Sequence, residues 1–153
     1  MGVSVRRAGI VDLGAIAPLF EAYCAFYEQD AAPEEAIAFV RDRLRVGDSV
    51  FFLAEVREPR GGNRGVGFVQ LYPKWSSTTM RRDWILNDLF VEPGHRRRGV
   101  GRALMEEATA FCRRTGAANV SLKTQVGNEA AQALYESLGW VRDEEFHRYD
   151  LAL

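Results

Sequence analysis

The 153-residue sequence predicts an α/β fold, a mixed β-sheet flanked by about four helices, in one domain over residues 1–153. Three observations carry that expectation. Apolar stripes of helical period alternate with short β-rich runs. The helical pattern from Gly99 to Thr115 separates two strand candidates and so demands a parallel crossover. The length is that of one core, large enough to bury roughly 68–70% of the unfolded surface without a disulfide or metal staple.

The elements follow in order. Val3 to Arg7 is a short strand candidate. From Ile10 to Glu28, apolar residues at Ile10, Leu13, Ala17, Phe20, Cys24 and Tyr27 form a helical stripe, which Pro18 either kinks or starts. Pro33 suits a first helical position, with Glu34 and Glu35 in the positive first turn and Gly47 as the stop. Val50 to Arg57 and Val66 to Tyr72 read as strands joined by the turn Pro59 to Gly65, a hairpin. Trp75 to Asp83 reads as a loop. Trp84 to Val91 is largely apolar and is expected to be a central strand. Gly116 closes the next helix, Val120 to Thr124 is a strand, and Asn128 caps a short helix ended by Gly139. Trp140 to Leu151 offers one or two last strands.

Composition excludes several classes. Twenty basic against 21 acidic residues leave a net charge of −1, unlike a dedicated nucleic-acid binder. Cys24 and Cys112 lie far apart with no CxxC and no paired histidines, so neither structural zinc nor a disulfide scaffold is expected. His95 and His147 have no partner visible in the sequence. No apolar run approaches the ~18 residues of a transmembrane helix, and no signal-peptide core follows the N-terminus, so a cytoplasmic chain without membrane or nucleic-acid partners is expected.

The chemistry concentrates in one stretch. A strand ending Leu89-Phe90-Val91 runs into Glu92-Pro93-Gly94-His95, then Arg96-Arg97-Arg98-Gly99-Val100-Gly101-Arg102 opens a helix. Free N–H groups at a helix N-terminus form an anion site. Gly99 and Gly101 let backbone approach a pyrophosphate, and the arginines supply charge. The spacing matches neither GxGxxG nor GxxxxGK[ST]. A plain basic turn capping a helix is the competing account; a nucleic-acid groove lacks interleaved aromatics.

These residues resemble a known family, the GCN5-related N-acetyltransferases (GNAT). Arg96-Arg97-Arg98-Gly99-Val100-Gly101 reads as their acetyl-CoA signature, R/Q-x-x-G-x-G/A. Asn128, Ala131, Tyr135, Gly139 and Trp140 match N-x-x-A-x-x-x-Y-x-x-x-G-[FW]. Within the family the chain is most similar to the yeast-type histone and polyamine acetyltransferases and to diamine acetyltransferases, on Phe26-Tyr27-Glu28, Gly67-Phe68, Tyr72-Pro73 and Trp84 to Val91. The resemblance implies acetyl-CoA as cosubstrate, bound where the strands splay, no metal, and a homodimer formed through the last strands.

It also implies roles. Backbone groups of Leu89 and Val91, with Phe90 between them, would pair with the pantetheine arm like an added strand and set a strand N–H near the acetyl carbonyl. Arg96 to Arg102 would hold the pyrophosphate, and Asn128 the pantetheine end. Tyr135 would be the general acid for the leaving thiolate. A lysine-like ammonium of pKa ~10.4 is only ~0.04% deprotonated at pH 7, a deficit of roughly 4.6 kcal/mol. A carboxylate must therefore bind it and take a proton; Glu28 and Asp88 are the candidates, with Tyr27 shaping the pocket. Diamine enzymes carry Glu where this chain has Asn87, which cannot act as a base, and Asp88 next to it is expected on the opposite strand face. Glu144 and Glu145 are further acidic candidates. The acidic stretch Glu28, Asp30, Glu34, Glu35 would draw a cation, while Arg81 and Arg82 would repel a polycation. The expected reaction is direct acetyl transfer in a ternary complex to a polyamine, diamine or amino-acid amine. The alternatives are a protein or histone lysine or N-terminal acetyltransferase acting on a basic peptide, and an inactive CoA-binding sensor.

Overall fold

The computed structural model describes residues 2–29 and 32–153. Asp30, a member of the acidic stretch, lies outside them. The chain forms two compact units, Met1–Lys123 and Thr124–Leu153.

The first unit is built on a five-stranded sheet in the order β1 (Val3–Arg7), β2 (Val50–Arg57), β3 (Asn63–Ser76), β4 (Arg81–Val91) and β5 (Val120–Ser121). The first three pairings are antiparallel, and β4 pairs with β5 in parallel. The parallel pair follows from the crossover helix α3 (Val100–Arg114). Helices α1 (Leu13–Phe26) and α2 (Pro33–Val46) cover one sheet face. Ile16, Leu19 and Phe20 of α1 and Ala36 and Val40 of α2 pack there on Phe51, Leu53, Phe68 and Phe90. On the other face Phe111 of α3 meets Phe52 at 5.5 Å and Trp84 at 5.1 Å between ring centroids. Both faces of β2 are thus covered, which is why its sequence is apolar at successive positions.

Proline and glycine set the helix ends. Pro33 opens α2, with the Glu35 carboxylate accepting from the Ala32 N–H, and Gly47 ends it in the left-handed region. Helix α1 follows a short 3-10 turn, Ile10–Asp12, and runs through Pro18. An ion-pair triad fastens this start: Arg6 on β1 bridges Asp12 at 2.7 Å and Glu55 on β2 at 2.9 Å.

Three expectations are corrected. Trp75 to Asp83 is strand but for residues 77–80, because Trp75 pairs across the ladder with Arg82. The Arg82 guanidinium lies 5.2 Å from the Trp75 ring centroid and 5.7 Å from that of Trp84. As expected, β4 lies inside the sheet, between β3 and β5, although β5 pairs only with Trp84 and Ile85. β5 is accordingly shorter than Val120 to Thr124. Trp140 to Leu151, expected to offer one or two last strands, forms none. The Asp143 carboxylate takes the N–H groups of Glu145 and Phe146, a local turn in place of a ladder.

The second unit holds α4 (Glu129–Ser137), capped by Asn128, whose Oδ1 accepts from the Ala131 N–H at 3.3 Å. No helix among the described residues is long and apolar enough to cross a membrane.

Candidate active site

The register of β4 builds the site. Gln70 on β3 pairs with Asp88, but Leu71 pairs with Leu86, so Asn87 is an extra residue, a β-bulge. Its effect is visible in the side chains on either side. Trp84 and Phe90, an even number of residues apart, would share a face in a regular strand. Instead Trp84 packs on Phe111 of α3, while Phe90 faces Tyr23 of α1. The bulge also cancels the expected opposition of Asn87 and Asp88: the Asn87 Nδ2 donates to both Asp88 carboxylate oxygens at 3.1 Å.

Asp88 is 5% exposed. Burial raises its pKa, against hydrogen bonds from Tyr23 and Asn87 that hold it down. No arginine or lysine among the described residues pairs with it. Three tyrosines lie near enough to feel its charge. Burial and then the Asp88 charge push the phenols of Tyr23 and Tyr27 up, and that of Tyr72 up to about 12. The Cys24 thiol is raised by the same two causes. Beneath, the Gln70 amide donates to Ser49 Oγ at 3.0 Å. A buried carboxylate that no cation pairs with, near three phenols, has the chemistry to bind an organic ammonium and accept its proton.

Beside this carboxylate β4 has an open edge. Beyond Ile85 no strand among the described residues pairs on the β5 side. The Glu92 N–H donates to Val66 of β3 at 2.9 Å. In that trans peptide the Val91 carbonyl points the other way, onto the open edge, and by strand period so do the polar groups of Leu89. Phe90 lies between, paired to Phe68. The close packing of β3 on this strand needs Gly67, where a Cβ would stand 2.7 Å from the Phe90 carbonyl oxygen.

The edge leads into the basic turn. Arg97 and Gly99 both adopt left-handed backbone, φ +59° and +82°, which curls successive N–H groups into one concavity. Gly99 caps α3 with no side-chain bond, so the N–H groups of Val100, Gly101 and Arg102 stand outside the intrahelical ladder. That concavity suits a diphosphate. Arg97 and Arg98 are exposed around it. The Arg102 side chain lies 3.8 Å from Glu106, and that of Arg96 folds back to the Val91 carbonyl. Among the described residues no group of three or more His, Cys, Asp or Glu is placed to hold a metal ion.

The remaining candidates have surroundings of their own. Glu28 is exposed, in left-handed backbone at φ +55°, one residue past Tyr27. In the second unit, the ring of Tyr135 lies 6.3 Å from that of Trp140, and Glu144 pairs with Arg142 at 2.9 Å. Sequence reasoning missed Tyr23 and gave Tyr72 no role. Tyr23 stands one helical turn before Tyr27 on the same stripe, so the period itself could have found it.

Comparison with known proteins bears on this arrangement. The sequence model of the acetyltransferase (GNAT) family matches residues 16–140. An uncharacterised N-acetyltransferase of Bacillus subtilis, YhfO, is 40% identical over 149 residues, 97% of each chain. The crystal structure of a probable acetyltransferase superposes with a TM-score of 0.90 at 38% identity, covering 98% of this chain and 97% of that one. The aminoglycoside N-acetyltransferase AAC(6')-Iy, solved in complex with CoA, shares the fold at TM-score 0.80 and 17% identity, covering 99% and 96%.

Proposed function

The chain belongs to the GNAT acetyltransferase family and is an N-acetyltransferase, and from that premise we propose that it transfers acetyl from acetyl-CoA to a small primary amine held at Asp88. The observation that carries this reading is the buried Asp88 carboxylate, walled by Tyr23, Tyr27 and Tyr72 and set by the Asn87 bulge beside the open edge of β4.

The roles divide along the chain. The β4 edge at Leu89 and Val91 takes the pantetheine amides as a strand would. The N–H groups from Arg97 to Arg102 take the diphosphate, with Arg97 and Arg98 adding charge. Asp88 binds the incoming amine as its ammonium, then accepts the proton as the nitrogen attacks the thioester carbonyl. Its raised pKa makes it a better base than a solvated carboxylate. A β4 amide at the bulge stabilises the oxyanion. The C–S bond then breaks, and Tyr135, carried over on its motif, protonates the CoA thiolate; Asn128 is carried over with it as a pantetheine contact. Glu28 and Glu144 supply acidity toward the acceptor. We assign residues 1–153 to one catalytic domain, because the family match runs across both units. A cytoplasmic homodimer completes the proposal.

Thiol release from acetyl-CoA across putrescine, spermidine, lysine, thialysine and a histone-tail peptide tests it. Turnover on a free small amine supports the reading. Turnover on the peptide alone transfers the function to protein acetylation, and thiol release from none of them defeats the proposal. Light scattering tests the dimer.

A further inference from the structure

We infer that Arg96 is a positioning residue that ties the acceptor pocket to the cofactor edge, rather than a phosphate ligand like Arg97 and Arg98; this rests on the acetyl-transfer reading above. Three contacts define its side chain. The Arg96 Nε donates to the Val91 carbonyl at 2.9 Å, and that carbonyl lies on the open edge of β4. The guanidinium carbon is 5.7 Å from the Phe90 ring centroid and 5.2 Å from that of Phe26, the last residue of α1. The side chain therefore runs back from the basic turn across the end of β4 to the end of α1, away from the N–H concavity at Gly99.

From Phe26 an aromatic chain continues into the pocket. Phe26 meets Tyr27 edge-on at 5.1 Å, and Tyr27 meets Tyr23 at 4.9 Å. Tyr23 packs on Phe90 at 6.5 Å, and its phenol acts on the Asp88 carboxylate and lowers its pKa. Arg96 is joined to both ends of this loop, to Phe90 directly and to Tyr23 through Phe26 and Tyr27. A planar guanidinium can donate in its plane while its face covers a ring, which an ammonium cannot imitate. Charge alone is therefore not what the position uses.

That distinction supplies the test. Arg96→Lys, Arg96→Met and Phe26→Leu are compared with wild type by calorimetric titration of acetyl-CoA and by the kinetics of the best amine. A clamp predicts that Lys fails to rescue: both Arg96 variants raise the amine KM about fivefold, while acetyl-CoA affinity stays within about twofold. Arg98→Gln, a phosphate-site control, weakens acetyl-CoA instead. Combining Arg96→Met with Phe26→Leu costs less than the sum of the two, since they share one contact. The inference is overturned if Arg96→Lys restores full activity while Arg96→Met loses acetyl-CoA affinity with an unchanged amine KM. If wild type acetylates no amine, the activity reading fails by itself. Additive losses of thermal stability from the Arg96 and Phe26 substitutions then overturn the clamp, and non-additive losses support it.

Discussion

Asp88→Asn isolates the charge at the centre of the site. The substitution keeps shape and hydrogen-bonding capacity toward Tyr23 while removing the negative charge and the base. A lysine-like amine at pH 7 must lose a proton at a deficit of roughly 4.6 kcal/mol, and a positioned base recovers about 10²- to 10⁴-fold in rate. The expected loss in kcat/KM for the amine is of that order, with acetyl-CoA affinity unchanged. The loss should shrink as pH rises toward the amine's own pKa, where solvent supplies the free base. Stability should move the other way. Asp88 has a folded pKa raised above its unfolded value by burial, so its ionisation costs stability. That cost is absent below the unfolded pKa, develops as pH rises and is complete above the folded pKa. Asp88→Asn should therefore raise Tm at pH 7 but not near pH 3, a trade of stability for activity. Thiol-release kinetics from pH 6.5 to 9.5 and paired melts provide the assay. Wild-type turnover by the variant across that range, or a lower Tm at pH 7, would refute the reasoning.

Three other perturbations test separate parts. Arg6→Gln removes the shared partner of Asp12 and Glu55; since Arg6 is itself half exposed, the expected cost is about 1–3 kcal/mol in denaturant unfolding. The Arg6 hydrogen bond holds the Asp12 pKa low, so wild type gains stability above the unfolded carboxylate value and loses it as pH falls through the lower folded one. The variant should show a flatter acid limb in pH-dependent melts. Gly67→Ala places a Cβ 2.7 Å from the Phe90 carbonyl oxygen; β4 must shift, costing about 1–3 kcal/mol and weakening acetyl-CoA binding by calorimetry. Arg97→Gly relieves left-handed strain worth about 1–2 kcal/mol. Its Tm should rise while acetyl-CoA affinity falls, and a fall in both would show that the conformation is unstrained.

Much of this architecture is legible residue by residue. Pro33 and Gly47 bound α2 because their backbone preferences are local and need no partner. Gly99, Asn128 and Gly139 mark helix ends for the same reason. The basic turn was legible because strand end, arginines and glycines are consecutive. The Asn87 bulge was not: it is a property of pairing with Gln70 and Leu71, and nothing in Trp84 to Val91 alone announces it. Without the bulge, strand alternation put Asn87 and Asp88 on opposite faces, and the site's central carboxylate looked displaced from its neighbour. The β3–β4 hairpin was misread for a related reason. Ser76 to Met80 looks like a turn by composition, but how far the strands extend past it depends on cross-strand pairs such as Trp75 with Arg82. From Trp140 to Leu151 the apolar pattern resembled strands, while the Asp143 turn prevailed locally.

The account's central claim is direct transfer from acetyl-CoA to an amine held at Asp88. A rapid-quench single turnover with acetyl-labelled acetyl-CoA and a small diamine tests it most directly. The account predicts that label moves to the amine nitrogen in one phase, at a rate that Asp88→Asn slows, with no labelled protein at any time. Label appearing first on the protein, for instance on the Cys24 thiol beside Asp88, or label remaining on CoA while the amine is bound, would contradict it.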